Sequence, residues 1–408
     1  MTRSKLIAFL LALYPVASIY KFPILINNLG HSILLFIIFP LALAEYLHLN
    51  SPKTKDLNKY ILYSVYFIVA SIVIPLVGGF NSDSRALLVF IEYSIILFIV
   101  INCIQQKNST FYYYGLFAEL FSWFLILQIL LVPLGIHLSG FIPFLDFYFS
   151  DAEFTSVDEG RMLRAASVFT EPSHFALYVS PVLAYSLWKI KGTKTLRRII
   201  VLSIALLLSG SGNGVILFAL IYFIFIVHKY FTKRSFTLYV VGATILLAAI
   251  VYIPRTSFFQ NVTYGLFVTE YDTTESRAEA RVYRGFALFS QMDTREMITG
   301  IGWRNAGNYF SAKKPSLYNL FYMENFDYFN SIAGILIYGG VIGLILFLWF
   351  FLVLWKQVPF WGYRLLILVI LVPMFSSSIF MMEQWPLYLF SLFSTKLYAK
   401  DLLIKEVV

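Results

Sequence analysis

Polar breaks divide this chain into a succession of apolar runs, many of them about 20 residues long, the length that carries a helix across a hydrocarbon layer roughly 30 Å thick. The runs fall near 6–20, 24–46, 60–79, 86–105, 112–138, 172–188, 195–210, 213–228, 236–253, 329–355, 363–380 and 385–396. Their pattern predicts an all-α polytopic membrane protein with about twelve transmembrane helices, because a helix satisfies its own backbone polar groups where no water can. The first run, behind Arg3 and Lys5, has the look of a signal-peptide core. No small-residue cleavage site follows it and apolar sequence continues at once, so it reads as a retained helix.

Composition agrees. Of 408 residues, 59% are apolar, 19% aromatic and only 13% charged, whereas a soluble domain carries about 25% charged residues. Soluble dinucleotide-binding, barrel and sandwich enzymes are thereby excluded. The single cysteine, Cys103, allows neither an internal disulfide nor a thiolate metal cluster, and the five histidines show no metal-ligand spacing. No phosphate-binding P-loop and no glycine-rich dinucleotide fingerprint is present, so metal and nucleotide cofactors are not expected.

The formal charge of +9 resolves into a topology signal. With the N-terminus cytoplasmic, 19 of the 31 basic residues fall in cytoplasmic segments, from Arg3 and Lys5 through Lys189–Arg198 and Lys229–Arg234 to Lys396–Lys405. That is the bias expected of short cytoplasmic loops. It needs no nucleic acid to explain it. The assignment depends on residues 199–227 being two spans joined by Ser209-Gly210-Ser211-Gly212-Asn213-Gly214, since one long span would invert everything downstream. Irregular polar backbone at that depth is tolerated only inside protein or beside water, so the turn is expected to face the functional site. The resulting organisation is a five-span region (1–138), a first long outer loop (139–171), a four-span region with the Gly/Ser hairpin (172–253), a second long outer loop (254–328) and a three-span C-terminal region (329–408), with both termini cytoplasmic.

The second loop, about 75 residues long, carries eight basic residues, six of them Arg, and eight acidic ones. Loops of such length are commonly functional. Arginine dominance against the positive-inside trend points to bidentate recognition of phosphate or carboxylate, the alternative being salt bridges within the loop. Arg277, Arg281 and Arg284 recur at spacings of four and three, which a helix gathers on one face. That amphipathic segment would suit a pyrophosphate or an anionic lipid surface. Gly300-Ile301-Gly302-Trp303-Arg304-Asn305 reads as a tight turn carrying a basic residue, and only weakly as a phosphate loop.

The sharpest local feature is Arg161-Met-Leu-Arg164-Ala-Ala-Ser167-Val-Phe-Thr170-Glu171-Pro172-Ser173-His174. Pro172 suits the first turn of a helix, Thr170 or Ser173 suits its cap, and Glu171 suits its positive end. Capping does not account for Arg161 and Arg164 just upstream, so carboxylate and guanidinium groups together read as a polar site at the membrane surface. Glu92 and Glu119 are ionisable groups inside apolar runs, and such groups are functional candidates or paired structural carboxylates.

In order along the chain, Arg164 followed by Ser-Val-Phe-Thr-Glu-Pro-Ser-His, the Ser/Gly turn at 209–214, Arg281 or Arg284 before Gly300-Ile-Gly302, and Asn330 before Tyr338-Gly-Gly-Val-Ile-Gly343 resemble the bacterial O-antigen polymerase (Wzy-type) and O-antigen ligase superfamily. The resemblance covers most of the chain, on short motifs. It implies a multi-pass inner-membrane glycosyltransferase of C-type architecture acting at the periplasmic face in lipopolysaccharide biosynthesis. Such an enzyme joins undecaprenyl-pyrophosphate-linked oligosaccharide repeat units, donor to acceptor, with neither metal nor nucleotide sugar, beside a flippase and a chain-length regulator. Ligases of the superfamily tend to carry His before the Asn that opens the later span. Here that position is Phe329, which favours a polymerase.

In that framework the lipid pyrophosphate is already a good leaving group, and the enzyme chiefly stabilises the charge that develops on it. Arg164 and the set Arg277, Arg281 and Arg284 are the candidates for that clamp. Glu171, then His174, is the candidate base toward the acceptor hydroxyl, a contribution of roughly 10²–10⁴-fold. Arg161, Arg304, Asn330 and Glu92 are candidates for holding substrate. A ligase moving polymer to lipid A core, or a flippase without long one-sided loops, are the alternatives.

Overall fold

The computed structural model describes residues 3–21, 29–47, 58–81, 110–138, 165–188, 193–231, 284–313, 329–357, 361–377, 385–389 and 391–393, with scattered positions in 87–98 and 140–146. Among the described residues the elements are helices. They are α1 (Arg3–Ala17), α2 (Leu29–Leu47, with a π-helical middle), α3 (Asn58–Gly78), α4 (Thr110–Leu131), α5 (Pro172–Trp188), α6 (Thr193–Leu208) and α7 (Gly212–Ile226, running into a π turn at Val227–Phe231). Within the stretch 254–328 lie the short α8 (Arg284–Ser290), α9 (Thr294–Thr299) and α10 (Ala306–Lys313), and beyond it come α11 (Ser331–Gln357) and α12 (Trp361–Leu371). Among the described residues, five segments are long and apolar enough to cross a membrane: Leu29–Leu47, Tyr60–Gly78, Tyr112–Leu134, Gly212–Lys229 and Ser331–Gln357. The chain is an all-α membrane protein. The expected spans at 236–253 and, for most residues, 86–105 lie outside the described residues.

Helix α5 is apolar on all sides and buried along almost its whole length, as a helix enclosed by others must be. It packs against α4, α6, α7 and α12, while α11 packs against α3, α8 and α9. Pro181 inside α5 removes the amide that would have bonded the carbonyl of Leu177, four residues earlier. The buried Tyr388 hydroxyl supplies the missing donor at 2.7 Å. Tyr114 donates in the same way to the carbonyl of Tyr178 (2.6 Å), and Tyr178 to that of Ala12 on α1 (2.7 Å). Phenols thus tie α1, α4 and α5 together through backbone acceptors.

Helices α6 and α7 reverse direction at Ser209–Gly210, where Gly210 takes φ +64°, the left-handed conformation that commonly ends a helix. Across the hairpin Ser203 Oγ and Tyr222 Oη lie 2.7 Å apart. At the far end of the same helices, Glu119 of α4 is buried and accepts from Arg197 (2.7 Å) and Arg198 (3.1 Å) of α6. Gly115, one turn earlier on α4, leaves room for the Arg198 guanidinium. Glu119 is therefore a paired structural carboxylate.

Helix α11 is broken at Gly340, whose φ of 63° and ψ of −167° lie in a region that only glycine occupies readily. The break frees carbonyls, and the segment after α9 satisfies them. The Ile301 amide donates to Ile337 O (3.0 Å) and the Gly302 amide to Tyr338 O (2.9 Å). Tyr66 Oη donates to both Thr299 O and Gly339 O at 2.7 and 2.9 Å. The Gly300–Gly302 stretch, weakly a phosphate loop by sequence, is a brace instead: the amides of Gly300, Ile301 and Gly302 are all used on helix carbonyls, those of Glu296, Ile337 and Tyr338.

Candidate functional site

Five helix termini meet at one end of the bundle. The start of α5, the α6–α7 turn, the start of α11 and the end of α12 (with its 3-10 extension Val372–Phe375) converge there. Asn213 of the turn donates to Ser377 Oγ (2.8 Å) and accepts from Ser376 Oγ (2.9 Å). Both the amide and the hydroxyl of Ser331, which opens α11, donate to Ser377 O at 3.0 and 2.8 Å. A continuous polar net thus links the Gly/Ser turn to the head of α11. Gly214 brings the turn against α5: a Cβ there would lie 3.3 Å from that of Ala176.

Glu171, just ahead of α5, precedes Ala176 by five residues, about one turn and a half or near 7.5 Å along the axis, and His174 precedes it by two, near 3 Å. The Glu171 carboxylate accepts from Ser173 Oγ (2.8 Å), and Thr170 Oγ1 is 2.8 Å from His174 Nδ1. The two hydroxyls expected to cap α5 thus bond to the side chains proposed for proton transfer. Glu171's own carbonyl accepts the amides of His174 and Phe175.

The approach to Glu171 is held by residues that the sequence did not single out. Ser167, buried, takes φ +58°, a strained conformation for a residue with a Cβ. Gln128 of α4 clasps it, accepting from the Ser167 amide (3.0 Å) and donating to the Ser167 carbonyl (3.2 Å), while Ser167 Oγ donates to Phe121 O (2.7 Å). A side chain at Gly140 would collide with the Ser167 carbonyl. The available signals were a lone amide, Gln128, in an otherwise apolar run, and the Ser376-Ser377-Ser378 triplet interrupting another.

Asn330, a predicted substrate residue, is buried, and its Oδ1 caps α11 by accepting the Ala333 amide at 2.9 Å. Arg284 opens α8, and the next residue, Gly285, abuts the head of α11: a Cβ there would lie 2.5 Å from that of Ala333 and 3.3 Å from the Phe329 ring. The Arg284 backbone is therefore brought to the same helix start. Arg304 stands apart. It is exposed at φ +53°, beside the Gly340 break; the Trp303 ring lies tilted against Phe90 at 4.7 Å, and the Trp303 amide donates to Ser71 Oγ. The break at Gly339–Gly340 is about 13–15 Å along α11 from Asn330. Glu92, Arg161, Arg164, Arg277 and Arg281 lie outside the described residues.

Part of the second loop is self-paired, as Lys313 binds Asp293 at 2.7 Å. That hydrogen bond raises the Lys313 ammonium above its ordinary range, and burial pushes the Tyr309 phenol up. Trp303 and Tyr309, two of the loop aromatics, are used in packing against Phe67, Phe80 and Phe90. Among the described residues no group of acidic, His or Cys side chains could hold a metal ion.

Chemically, this end of the bundle offers one carboxylate, one imidazole, a net of hydroxyls and amides, and the N-termini of α5, α7 and α11. Helix N-termini carry partial positive charge and favour anions. No protein-family profile matches the chain, and no curated protein matches it.

Proposed function

We propose that this protein is a surface-polysaccharide polymerase of the O-antigen polymerase type, joining undecaprenyl-pyrophosphate-linked repeat units at the periplasmic face of the bacterial inner membrane. The observation that carries the reading is the meeting of Glu171 and His174, the Ser/Gly turn and the Asn330–Ser331 head of α11 at one end of the bundle. These are separated stretches of sequence, and each belongs to the ordered motif series that resembles the superfamily. The finer architecture proposed with it is twelve spans of glycosyltransferase C type, with both long loops on the periplasmic side.

The reaction asks for two things. The acceptor hydroxyl must lose a proton as its oxygen bonds to the anomeric carbon of the donor, and the bond from that carbon to the pyrophosphate oxygen must break. Glu171 takes the proton, held toward it by Ser173, with His174 as the second acid–base group. The leaving undecaprenyl pyrophosphate departs with the bonding electrons. Its charge meets the positive ends of α5, α7 and α11 and the guanidinium groups of the loop segments, Arg164 and Arg277–Arg284. Serine hydroxyls and the Asn213 amide suit the hydroxyls of a sugar ring. Uncharged donors of this kind orient a glycan without competing for the phosphate.

Lipid-linked glycans extracted from cells lacking the protein test the reading. Single periplasmic repeat units without polymer are expected, and Glu171→Gln should reproduce that pattern with the protein at normal abundance. Units accumulating on the cytoplasmic side would instead mark a flippase. Polymer formed but never attached to lipid A core would mark a ligase. Near-normal chain length in Glu171→Gln would leave that carboxylate structural.

A further inference from the structure

The opposite end of the same helices carries a different chemistry. Trp188 closes α5, His228 and Lys229 lie on the π turn after α7, Trp355 and Lys356 close α11, and Trp361 and Arg364 open α12. Arg364 is held between two indoles, its Cζ 5.3 Å from the ring centres of both Trp355 and Trp361. The Trp361 ring lies 5.0 Å from His228, and His228 lies 4.9 Å from Trp188. Lys229 Nζ is 5.2 Å from the Phe225 ring.

We infer that this end binds the phosphate of an anionic phospholipid, with Arg364 as the fixed cation and Lys229 and Lys356 as flanking ones. Three observations lead there. First, Arg364 pairs with no carboxylate among the described residues, and its Nε is buried without an acceptor. Contact with two aromatic faces orients a guanidinium but leaves its charge in place, and a partly buried charge calls for a counter-ion. Second, Lys229 and Lys356 are exposed, and each follows in sequence a member of this aromatic cluster, His228 or Trp355, which gathers charge of the sign that draws anionic headgroups to the ends of membrane helices.

Third, the surfaces leading to those lysines are apolar and uncovered. On α11, Ile345, Leu348 and Leu352 are exposed at helical spacing and end at Lys356. On α7, Phe223 and Ile226 are exposed and end at Lys229. Such stripes suit acyl chains lying along the helices below a headgroup, and tryptophans belong at that boundary. A free phosphate would use the cations and leave the stripes idle. A diacyl lipid uses both. The π turn matters here, since the extra residue it inserts after α7 moves His228 and Lys229 onto the tryptophan cluster, and π turns recur at functional positions.

Native mass spectrometry of the full-length protein in detergent, titrated with phosphatidylglycerol or phosphatidylcholine, tests the inference. Phosphatidylglycerol should be retained preferentially. The preference should fall about fivefold for each cation removed, in Arg364→Gln and in the double variant Lys229→Gln/Lys356→Gln. The two lysines are exposed, so that double variant stays informative if Arg364→Gln does not fold. Arg364→Lys should restore only part of the preference, because an ammonium lacks the planar face that stacks on indole. Equal retention of the two lipids, or an unchanged preference in the lysine double variant, would overturn the inference. So would displacement of the lipid by inorganic phosphate, which would make this a free-anion site.

Discussion

Replacing Gly340 with alanine probes the junction on which the N-terminal part of α11 depends. A Cβ at Gly340 would lie 2.3 Å from Ile298 O and 2.4 Å from the Gly300 amide nitrogen, both backbone atoms that no side-chain rotation can move away. The φ and ψ of this residue belong to a region costing about 1–3 kcal/mol for a residue with a side chain. Separating the brace from the helix would also break the bonds from Ile301 to Ile337 O and from Gly302 to Tyr338 O. Two carbonyls left unsatisfied in an apolar interior cost about 1–3 kcal/mol each. The sum is roughly 3–9 kcal/mol, a large share of the 5–15 kcal/mol that typically holds a domain together. Gly334, on the same helix, is the control: a Cβ there meets nothing nearer than a Tyr338 ring atom at 3.8 Å. Gly334→Ala should be neutral, or stabilising by about 0.5–1 kcal/mol, because alanine loses less backbone freedom in a helix. Thermal unfolding of the purified proteins in one detergent compares them. Equal midpoints for the two variants would refute the idea that the brace satisfies a broken helix.

Three further outcomes follow from the packing. Gln128→Leu removes both bonds that hold the Ser167 backbone in its strained conformation; a loss of about 2–4 kcal/mol in thermal stability and of at least about tenfold in chain elongation is expected, and retained elongation would show that the clasp does not position Glu171. Tyr388→Phe strips the carbonyl of Leu177 of the donor that replaces the amide lost to Pro181, costing about 1–3 kcal/mol. Restoring the amide with Pro181→Ala in the same chain should recover part of that loss, a coupling that a double-mutant cycle of unfolding midpoints reads directly. Glu119→Gln removes the carboxylate between Arg197 and Arg198. The expected destabilisation is about 1–2 kcal/mol, kept small by the 65% exposure of the Arg197 side chain, with elongation intact in an assay of lipid-linked glycans.

What the sequence determined by itself is the class of molecule. Apolar runs of membrane-spanning length, a low charge fraction and basic residues biased to one set of loops leave helices crossing a bilayer as the available solution, because an isolated segment in hydrocarbon must bond its own backbone. The Gly/Ser turn between α6 and α7 was legible for the same reason: six small or polar residues cannot continue an apolar helix. Glu171 and His174 stood out as a carboxylate and an imidazole at a helix start marked by Pro172.

Tertiary structure decided how the remaining polar groups are used. Whether Glu119 was a site or an ion pair depended on Arg197 and Arg198, 78 and 79 residues away in sequence. Whether Gly300–Gly302 cradled an anion depended on the break at Gly340, whose freed carbonyls take its amides. Gln128, Ser331, Ser376 and Ser377 were legible only as polar interruptions of apolar runs, since a single amide or hydroxyl there looks alike whether it bonds its own helix or a distant one. Local sequence fixes which segments are helical because hydrogen bonds within a helix are short-range. The partners of buried polar side chains are long-range, and only packing the helices together selects them.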